Sequence, residues 1–572
     1  MSDPVLSTSA SPAAAQAGAA AASSTTPGTT PGTMPAIAPA HVGPLLTGLG
    51  LATGMEFYTF DSMNLVLPDL TGSLGVSGDE ASWLLTTYSC ALFLGVPVSV
   101  WLAGHVGYRR FLLATVVAFA GTSMGVALSP GFETMLVWRA LQGLAAAGLV
   151  VWWRASIYVL MPKPQRSAAL MRVSTVLYLS SAAGLVASGY ITDHYDWRLI
   201  FLPNLVYAGG ALWLIARYFP AMPPASSQRA VQTDWPGIVL LAVALISLQI
   251  ILNRGEIDGW FGSAHLRTLA FAGAAAFVLF VAWQSSPANR SPLMCVDLLR
   301  DRHVLSSAVL GVFTGMILSG SVFVLPEFLR NLAANTYSAT QTGQIMCVYA
   351  LAAAAMRPLI VPLITRVGQR KAIALALVML IASMVVFHRL LTTGTPGPYF
   401  VLPLVLYAAC LSPLLPAVGS GTVARIEQNR LLDGVSLYMT FRQFGASLGV
   451  ALLTILITHR ETLHSSRLAD HVRMDRDVTR DWLSTIGATL TGNGGYTSFD
   501  SSRAAVRMLA EETARQAATL AYADAFAFMA AVGVLTLCVL PLVPPTPVAS
   551  VVASASASVS VTPLTSVPKK TP

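Results

Sequence analysis

Residues 133–156 read ETMLVWRALQGLAAAGLVVWWRAS, and this stretch decides the fold. It is an apolar run of the length that crosses a bilayer as one helix, for which about 20 residues are needed. Two arginines, Arg139 and Arg154, lie inside the run. A charged side chain near the middle of a membrane costs about 2.5–3.5 kcal/mol on insertion scales, so it pairs with another group or lines a wet cavity. The stretch therefore predicts a membrane-spanning helix that carries functional charges.

Apolar runs of similar length recur on both sides of this one. Of the 572 residues, 54% are apolar and 10% are charged, whereas ordinary soluble domains have about 25% charged residues. The runs do not alternate with period two, which disfavours a β-barrel and leaves helices as the spanning element. We predict an all-α membrane protein with 14 transmembrane helices, at residues 44–67, 84–104, 111–130, 133–156, 172–192, 199–219, 236–253, 266–284, 305–328, 342–364, 371–390, 398–424, 436–458 and 521–543.

The composition also excludes several classes of function. A soluble enzyme of this size would expose far more apolar surface than monomers tolerate. The formal charge is +8, but the basic residues are scattered singly between apolar runs, so we expect no nucleic-acid partner. The sequence has no P-loop, no H-E-x-x-H string and no nucleophile elbow, and we therefore expect neither an enzyme nor a bound cofactor or metal. Most of the five cysteines fall inside apolar runs, which indicates packing in helices rather than a disulfide framework.

Basic residues in the short loops predict the orientation of the chain. Fifteen Lys or Arg residues fall in the short loops on one side of the predicted spans and five in those on the other. By the positive-inside rule the first side is cytoplasmic, which places both termini in the cytoplasm of a multi-pass protein of the bacterial inner (plasma) membrane. The loop at 459–520 then lies outside. Residues 1–40 and 546–572 are rich in small and polar residues, and we predict that both are disordered cytoplasmic tails.

A short string occurs twice, once in each half of the chain. GHVGYRR follows the second span, and TRVGQRK follows the tenth. Each has a central glycine, Gly107 or Gly368, which permits a sharp reversal through positive φ, and each ends in a basic pair. If the seventh and eighth spans are an insertion, the turn follows the second span of each six-span half, and parallel six-span halves are a transporter plan.

The predicted domains are an N-terminal six-helix bundle at 41–220, a two-helix insertion with its flanking loops at 221–304, and a C-terminal six-helix bundle at 305–545 that includes the loop 459–520.

Four strings carry a resemblance to a known family. LVWRALQGLAAA at 136–147 is similar to the antiporter-type motif L-x-x-x-R-x-x-Q-G-x-x-x-A, and WRLIF at 197–201 is similar to the string that opens the sixth span. FRQFGASLGVA at 441–451 and AYADAF at 521–526 resemble strings of the thirteenth and fourteenth spans. Between its two tails the sequence therefore resembles the major facilitator superfamily, specifically its fourteen-span drug:H⁺ antiporter (multidrug efflux) branch. The resemblance implies the major facilitator fold, with two six-helix bundles plus two additional inserted helices.

The sequence departs from the family pattern at several positions. Asn64 and Pro68 match the first-span motif, but the position of its acidic residue falls on Thr59. The turn after the second span carries Gly104 where the family has Asp. Gly184 matches a glycine of the fifth-span motif without the proline that follows it. The family's usual proton site therefore lacks its acid in this chain.

Two carboxylates of the first span, Glu56 and Asp61, are the nearest replacements for that acid. At about 1.5 Å of rise per residue, Asp61 and Arg139 both lie about 10 Å below the outer surface, with Glu56 about one and a half turns deeper. We expect Asp61 to pair with Arg139 and Glu56 to carry the coupled proton, because burial favours the neutral form of an acid. The reverse assignment, with Asp61 as the carrier, stays open. The alternative for all three residues is a static ion pair that holds helices together.

We predict a central cavity lined by the first, fourth, tenth and thirteenth spans. Cations beside indole rings would suit amphipathic anions or aromatic acids. The alternatives are that Arg154 snorkels to the cytoplasmic surface and that Arg357 pairs with a backbone carbonyl beside the kink at Pro358. The predicted cavity residues are Asn64, Gln142, Trp153, Arg154, Arg357 and Arg442, and the predicted gating or motif residues are Gly107, Arg109, Arg110, Gly143, Gly184, Gly368 and Arg370.

The leading hypothesis is a proton-coupled secondary transporter that exports small toxic or drug-like amphipathic compounds across the inner membrane by alternating access. Its partners would be the substrate, protons and the lipid bilayer. The resemblance implies, for double-membraned bacteria, that the loop 459–520 docks a periplasmic adaptor leading to an outer-membrane channel, and the alternative is a solvated loop. The rival functions are a proton-coupled importer of a nutrient or siderophore and a non-transporting membrane sensor or scaffold.

Overall fold

The structure is a computed structural model that describes residues 39–220, 234–255, 258–289, 292–332, 337–423, 426, 430–492 and 497–542. Within those ranges the chain is helical and has no strand, which confirms the predicted all-α class. Almost all of the two predicted tails lies outside these ranges, as do three of the loop arginines counted above, Arg229, Arg290 and Arg425.

The helices are α1 (Pro39–Leu74), α2 (Gly78–Val106), α3 (Tyr108–Ala127), α4 (Phe132–Leu160), α5 (Lys163–His194), α6 (Pro203–Tyr218), α7 (Trp235–Arg254), α8 (Ala264–Gln284), α9 (Arg302–Asn331), α10 (Ala339–Val367), α11 (Gln369–Leu390), α12 (Val401–Val423), α13 (Leu431–Ala469), α14 (Asp477–Gly492) and α15 (Ser498–Val539).

Nearly every helix is suited to a membrane. Thirteen helices of the described ranges, α2–α13 and α15, are long and apolar enough to cross a bilayer. The remaining long helix of the described ranges is α1, which carries the carboxylates Glu56, Asp61 and Asp69. It has 36 residues, which is about 54 Å of helix, and it packs along α5 and α6. With α1 included, the architecture has the fourteen predicted spans.

The two repeated strings form equivalent turns. Gly107 joins α2 to α3 with a φ of +90°, and Gly368 joins α10 to α11 with a φ of +87°. Other residues are strained at such angles, so both turns require glycine. Successive spans alternate in direction, which puts both turns at one face of the molecule, the turn face. The opposite face carries α14 and is called the α14 face.

The spans pack as two groups, with α7 and α8 beside them. In the first group α1 packs on α5 and α6, and α4 packs on α2 and α3. In the second group α9 packs on α12, α13 and α15, while α11 packs on α12 and α15, and α10 on α12. α7 and α8 pack on each other, and α7 reaches α2 and α13 through an apolar cluster that includes Phe93, Leu245 and Leu437. The domain limits at 41–220, 221–304 and 305–545 stay predictions.

The segment 459–520 is not the polar loop expected from the sequence, because helices run through most of it. α13 continues to Ala469 and α15 begins at Ser498, so both extend beyond their apolar segments. α14 lies between them in the chain and packs against α15. The end of this segment, at 501–519, lies within α15. Adding residues to an existing helix needs no new nucleation, which explains how polar residues continue both spans.

Candidate functional site

A central cavity lies between the two groups of helices. It holds about 1450 Å³ of empty space, including the solvent at its mouth. The first, fourth, tenth and thirteenth spans line it, and so do α2, α5, α9 and α12. The predicted site residues on its wall are Glu56, Asp61, Trp153, Arg154, Arg357 and Arg442.

Three guanidinium groups contribute to this wall, and aromatic rings lie beside two of them. The Arg154 guanidinium carbon lies 4.4 Å from the centroid of the Trp153 ring, and that of Arg357 lies 4.8 Å from the Tyr178 centroid. Both distances fit cation–π attraction. In the described part of the chain, Nε of Arg357 and Nε of Arg442 are buried without a hydrogen-bond partner. These two atoms are covered by protein, so what the cavity wall presents to a bound anion is the positive charge of its three guanidinium groups.

The contacts of Arg154 and Arg357 correct the alternatives considered for them. Arg154 Nη1 lies 3.3 Å from the sulfur of Met439 on α13, so the side chain crosses the cavity rather than snorkelling to the cytoplasmic surface. Arg357 Nη1 donates to the carbonyl oxygen of Ser412 at 3.2 Å. That carbonyl belongs to α12 and not to the kink at Pro358. The contact therefore joins two helices of the second group.

The two carboxylates of α1 face different neighbours. The hydroxyl of Tyr88 on α2 donates to Glu56 at 3.5 Å. Asp61 Oδ2 accepts from Ser181 on α5 and from the hydroxyl of Tyr349 on α10, the latter at 3.1 Å. Both carboxylates are buried, with 8% of Glu56 and 4% of Asp61 exposed. Asp61 therefore contacts both groups of helices.

The predicted pairing of Asp61 with Arg139 is wrong. Arg139 points toward α2, where Nε donates to the carbonyl of Leu84 at 3.1 Å and the guanidinium lies 4.4 Å from the Tyr88 ring centroid. Its Nη1 donates to Gln142 Oε1 at 2.7 Å. Arg139 is fully buried and does not belong to the cavity wall, so its charge is held by a carbonyl, an amide and a ring.

A chain of polar side chains connects Arg139 to the family's acidic position. The amide of Gln142 donates to Ser123 Oγ at 2.8 Å, and Asn204 Nδ2 donates to the same oxygen at 3.2 Å. Asn204 Nδ2 also donates to Thr59 Oγ1 at 2.9 Å. These hydrogen bonds join α4, α3, α6 and α1. At the position of the family's acid this protein has the neutral residue Thr59, which contacts Asn204.

Two residues predicted to line the cavity lie elsewhere. The Gln142 amide is fully buried in the polar chain just described. The Asn64 side chain donates to the carbonyl of Phe60 on its own helix at 2.8 Å. Each amide therefore has partners away from the cavity: Asn64 uses a carbonyl four residues back on its own helix, and Gln142 bridges Arg139 and Ser123.

The motif residues take structural positions. A Cβ at Gly143 would strike the backbone of Tyr88, and one at Gly184 would strike the backbone of Tyr58, so α4 meets α2, and α5 meets α1, at backbone distance. At the turn face Arg109 donates to the carbonyl of Ala216 on α6. The basic residues Arg110 and Arg370 are exposed there. Their role in gating stays a prediction.

The hydroxyl groups that contact the carboxylates could not be predicted from the sequence. Tyr88, Ser181 and Tyr349 lie in apolar helices and belong to none of the recognised strings. Their spacing carries no signal, because it is helix packing that brings them to Glu56 and Asp61. A search for polar residues on the cavity face of each span could have selected Ser181, whereas Tyr residues are also common as plain packing residues.

Comparisons with known proteins agree with this architecture. A family model described as Major Facilitator Superfamily matches residues 49–326. The multidrug export protein EmrB of Escherichia coli (strain K12) is 24% identical over 427 residues, covering 74% of this chain and 82% of that protein. The fatty acid resistance protein FarB of Neisseria gonorrhoeae is 24% identical over 433 residues, with coverages of 74% and 82%. The solved structure of the proton:xylose symporter XylE bound to 6-bromo-6-deoxy-D-glucose is 12% identical with a TM-score of 0.55, covering 89% of this chain and 97% of that one.

Membrane-spanning helices in two groups around one charged central cavity define a multi-pass membrane transport protein. The family model, the relatives and the fold point to the same class. Residues 49–326 match the model of the major facilitator superfamily, the relatives EmrB and FarB are similar over about three quarters of the chain, and the solved structure shares the fold.

Proposed function

We propose that this protein is a proton-coupled secondary transporter that exports small toxic or drug-like amphipathic compounds by alternating access. The observation that carries the proposal is the wall of the central cavity, where two buried carboxylates and three guanidinium groups face one space. Carboxylates that exchange protons beside a substrate site can couple the two movements, because each ligand changes the charge that the other meets. The names of the relatives, a multidrug export protein and a fatty acid resistance protein, support export of such compounds.

The cavity favours amphipathic anions or aromatic acids among these substrates. Arg154 and Arg357 supply positive charge, and the rings of Trp153 and Tyr178 supply apolar faces beside it. An acid with an aromatic or acyl body could place its carboxylate near these guanidinium groups and its body against the rings.

We further propose that the α14 face lies outside and that both termini are cytoplasmic, because the short loops at the turn face hold most of the basic residues. The α14 face is held closed in this conformation. Asp69 of α1 forms an ion pair with Arg330 of α9. Asp193 of α5 accepts from the backbone N–H groups of Ala339 and Thr340, at 3.1 and 2.8 Å, at the start of α10.

Transport in inverted membrane vesicles tests the proposal. Vesicles acidified inside by respiration should take up an anionic aromatic probe, and a protonophore should release it. Arg357→Ala should weaken uptake about tenfold or more through lost charge-assisted contacts, whereas Arg267→Ala, an exposed arginine that donates to the carbonyl of Phe261, should not. Movement in the opposite direction would indicate an importer. No movement of any probe, with the protein correctly inserted, would favour a sensor or scaffold.

The helices beyond the membrane are our proposed docking surface for a periplasmic adaptor. Val478 at the start of α14 is 81% exposed and Phe499 at the start of α15 is 65% exposed, which leaves apolar side chains in solvent near the tip of this extension. Val478→Asp together with Phe499→Asp should abolish resistance of intact cells while leaving uptake by inverted vesicles unchanged. Unchanged resistance would contradict the docking proposal, and equal loss in both assays would assign the extension to transport itself.

A further inference from the structure

Two of the three guanidinium groups of the cavity wall are open to the cavity, and they belong to different groups of helices. Arg154 lies on α4 of the first group and Arg442 on α13 of the second, and both side chains are half-buried. Arg357, by contrast, is only 2% exposed and already donates to the carbonyl oxygen of Ser412. Arg154 and Arg442 are therefore the cations that a molecule in the cavity can reach directly.

Arg154 and Arg442 are also close neighbours across the cavity. Arg154 Nη1 lies 3.3 Å from the sulfur of Met439, and Arg442 follows Met439 by three residues on α13. Residues three apart lie on the same face of a helix, with about 5–6 Å between their Cβ atoms. The positive charges of the two guanidinium groups therefore repel each other.

Neither of these two arginines has an oxygen acceptor among the described residues. The partners of Arg154 are the thioether sulfur of Met439, which is a weak acceptor, and the face of the Trp153 ring. Arg442 makes no hydrogen bond within the described ranges, and Glu56 attracts it without forming an ion pair. Charged groups inside a membrane normally pair. An anion between the two arginines would supply the missing acceptor and cancel their repulsion.

The two arginines lie where the cavity opens. Each occupies the half of its helix that is nearer to the turn face. At the opposite end of the cavity, the pair of Asp69 with Arg330 helps to close the α14 face. The repulsion between Arg154 and Arg442 therefore acts to hold α4 and α13 apart on the open side.

We infer that Arg154 and Arg442 form one anion subsite shared by the two groups of helices, and that a bound carboxylate draws α4 and α13 together and closes the turn face. The inference rests on the proposed function and deepens it, because it assigns the acidic group of the substrate to two named residues. Both arginines determine specificity, since the subsite selects an acid over a neutral compound with the same ring.

The direction of this movement agrees with export. The cavity is open toward the turn face, which is the proposed cytoplasmic side. An anion that enters from there binds between the like charges that keep the helices apart, and it favours the state in which they approach each other. Closure behind the substrate then leaves the α14 face as its exit.

Binding of 1-naphthoate in nanodiscs, measured by equilibrium dialysis at one neutral pH, tests the subsite. Arg154→Gln and Arg442→Gln should each weaken this binding at least about tenfold, since each removes charge-assisted hydrogen bonds to the carboxylate. Binding of 1-naphthylmethanol, which has the same ring and no charge, should change less than about threefold. Arg217→Gln is the control and should bind both compounds as the wild type does, because it removes an exposed positive charge at the turn-face end of α6.

Distance measurements between spin labels test the closure without any transport assay. Labels at Ser167→Cys, near the start of α5, and Arg302→Cys, at the start of α9, lie on exposed positions of the turn face in different groups, with the native cysteines replaced by serine. 1-Naphthoate should raise the short-distance population of the wild type at least about threefold, and 1-naphthylmethanol should not. Arg154→Gln and Arg442→Gln should raise it without any ligand, because the repulsion is gone. Arg154→Lys and Arg442→Lys keep the charge and should not.

The outcomes separate the subsite from the proposed function. Wild-type binding of 1-naphthoate by either Gln variant overturns the inference, and so does a short-distance population that either 1-naphthoate or the Gln substitutions leave unchanged. Equal weakening in Arg217→Gln overturns it as well, because the effect would then be one of net charge. If a Gln variant is not monodisperse, the comparison of 1-naphthoate with 1-naphthylmethanol on the wild type decides by the same readings. Closure with 1-naphthoate in a protein that moves no probe in vesicles would refute the proposed export alone.

Discussion

One hydrogen-bond donor of Arg139 has no partner among the described residues. Its Nε and Nη1 are satisfied, but Nη2 is buried and has no partner within the described ranges. An unsatisfied buried donor costs roughly 1–3 kcal/mol. A role in holding helices together does not by itself explain why this arginine is present. It lies at one end of the Gln142–Ser123–Asn204–Thr59 chain of hydrogen bonds, which links α1 to α4. A movement of α1 would therefore change the contacts of Arg139 on α4.

Replacing Arg139 should therefore stop coupled transport without preventing insertion. Arg139→Ala should lower proton-driven uptake in vesicles at least about tenfold, since it removes the contacts to Leu84, Gln142 and the Tyr88 ring together. Arg139→Lys should fail as well, because an ammonium group cannot reproduce the planar fork of donors. Expression and solubility in mild detergent serve as the control. Normal export by a well-expressed Arg139→Ala variant would remove Arg139 from the mechanism.

The sequence located Arg139 but could not choose its partner. Glu56 and Asp61 are five positions apart, which turns them about 140° from each other around α1. Small differences in the rotation of α1 decide which acid faces which neighbour, and a sequence does not contain that rotation. Helix rise predicts the depth of each residue along its helix, but the direction of each side chain comes only from packing.

At the scale of helices, Asp234 anchors the inserted pair α7 and α8. This carboxylate precedes α7 and accepts from the Trp283 indole and the Gln284 amide, both at 2.6 Å, and from the backbone N–H of Gly237 at 2.9 Å. Burial alone would raise the pKa of Asp234, but the hydrogen bonds from Trp283, Gln284 and Asn289 together hold its pKa below the usual value. A lowered pKa means that ionised Asp234 stabilises the fold above the unfolded value, and that this contribution is lost as the pH falls through the folded value.

Asp234→Asn should accordingly destabilise the insertion by about 1–3 kcal/mol, since an amide cannot accept all of these bonds and adds donors of its own. Thermal unfolding in detergent at neutral pH should show a lower midpoint than wild type. The difference between the two proteins should shrink as the pH falls below about 4, where the wild-type carboxyl is protonated as well. Asp258→Asn is the control, because Asp258 forms only a half-exposed ion pair with Arg254, worth about 0–1 kcal/mol. Equal shifts for both variants would contradict the anchoring role.

At the scale of the whole molecule, the lengths of the apolar runs predict the membrane-spanning helices. They do not predict the helices of segment 459–520, which extend beyond the apolar parts of α13 and α15. The spans and both glycine turns follow from local sequence, because lipid forces every apolar run of that length into a helix. The polar residues of 459–520 carry no such constraint. Their helices form because α13 and α15 are already nucleated in the membrane and pack against each other. α15 starts at Ser498, about 35 Å along its axis before the segment at 521–543.

The orientation of this extension gives the last prediction. With the α14 face outside, Val478→Cys should react with a membrane-impermeant maleimide in whole cells, since 81% of Val478 is exposed. Val367→Cys, 38% exposed beside the Gly368 turn, should react only in inverted vesicles or permeabilised cells. Cys538 is the exposed native cysteine, and its replacement by serine leaves each new thiol as the main target. The positive-inside rule requires this pattern, because the basic turn at Gly368 must stay on the cytoplasmic side. Labelling of Val367→Cys from outside, with Val478→Cys protected, would reverse the proposed orientation.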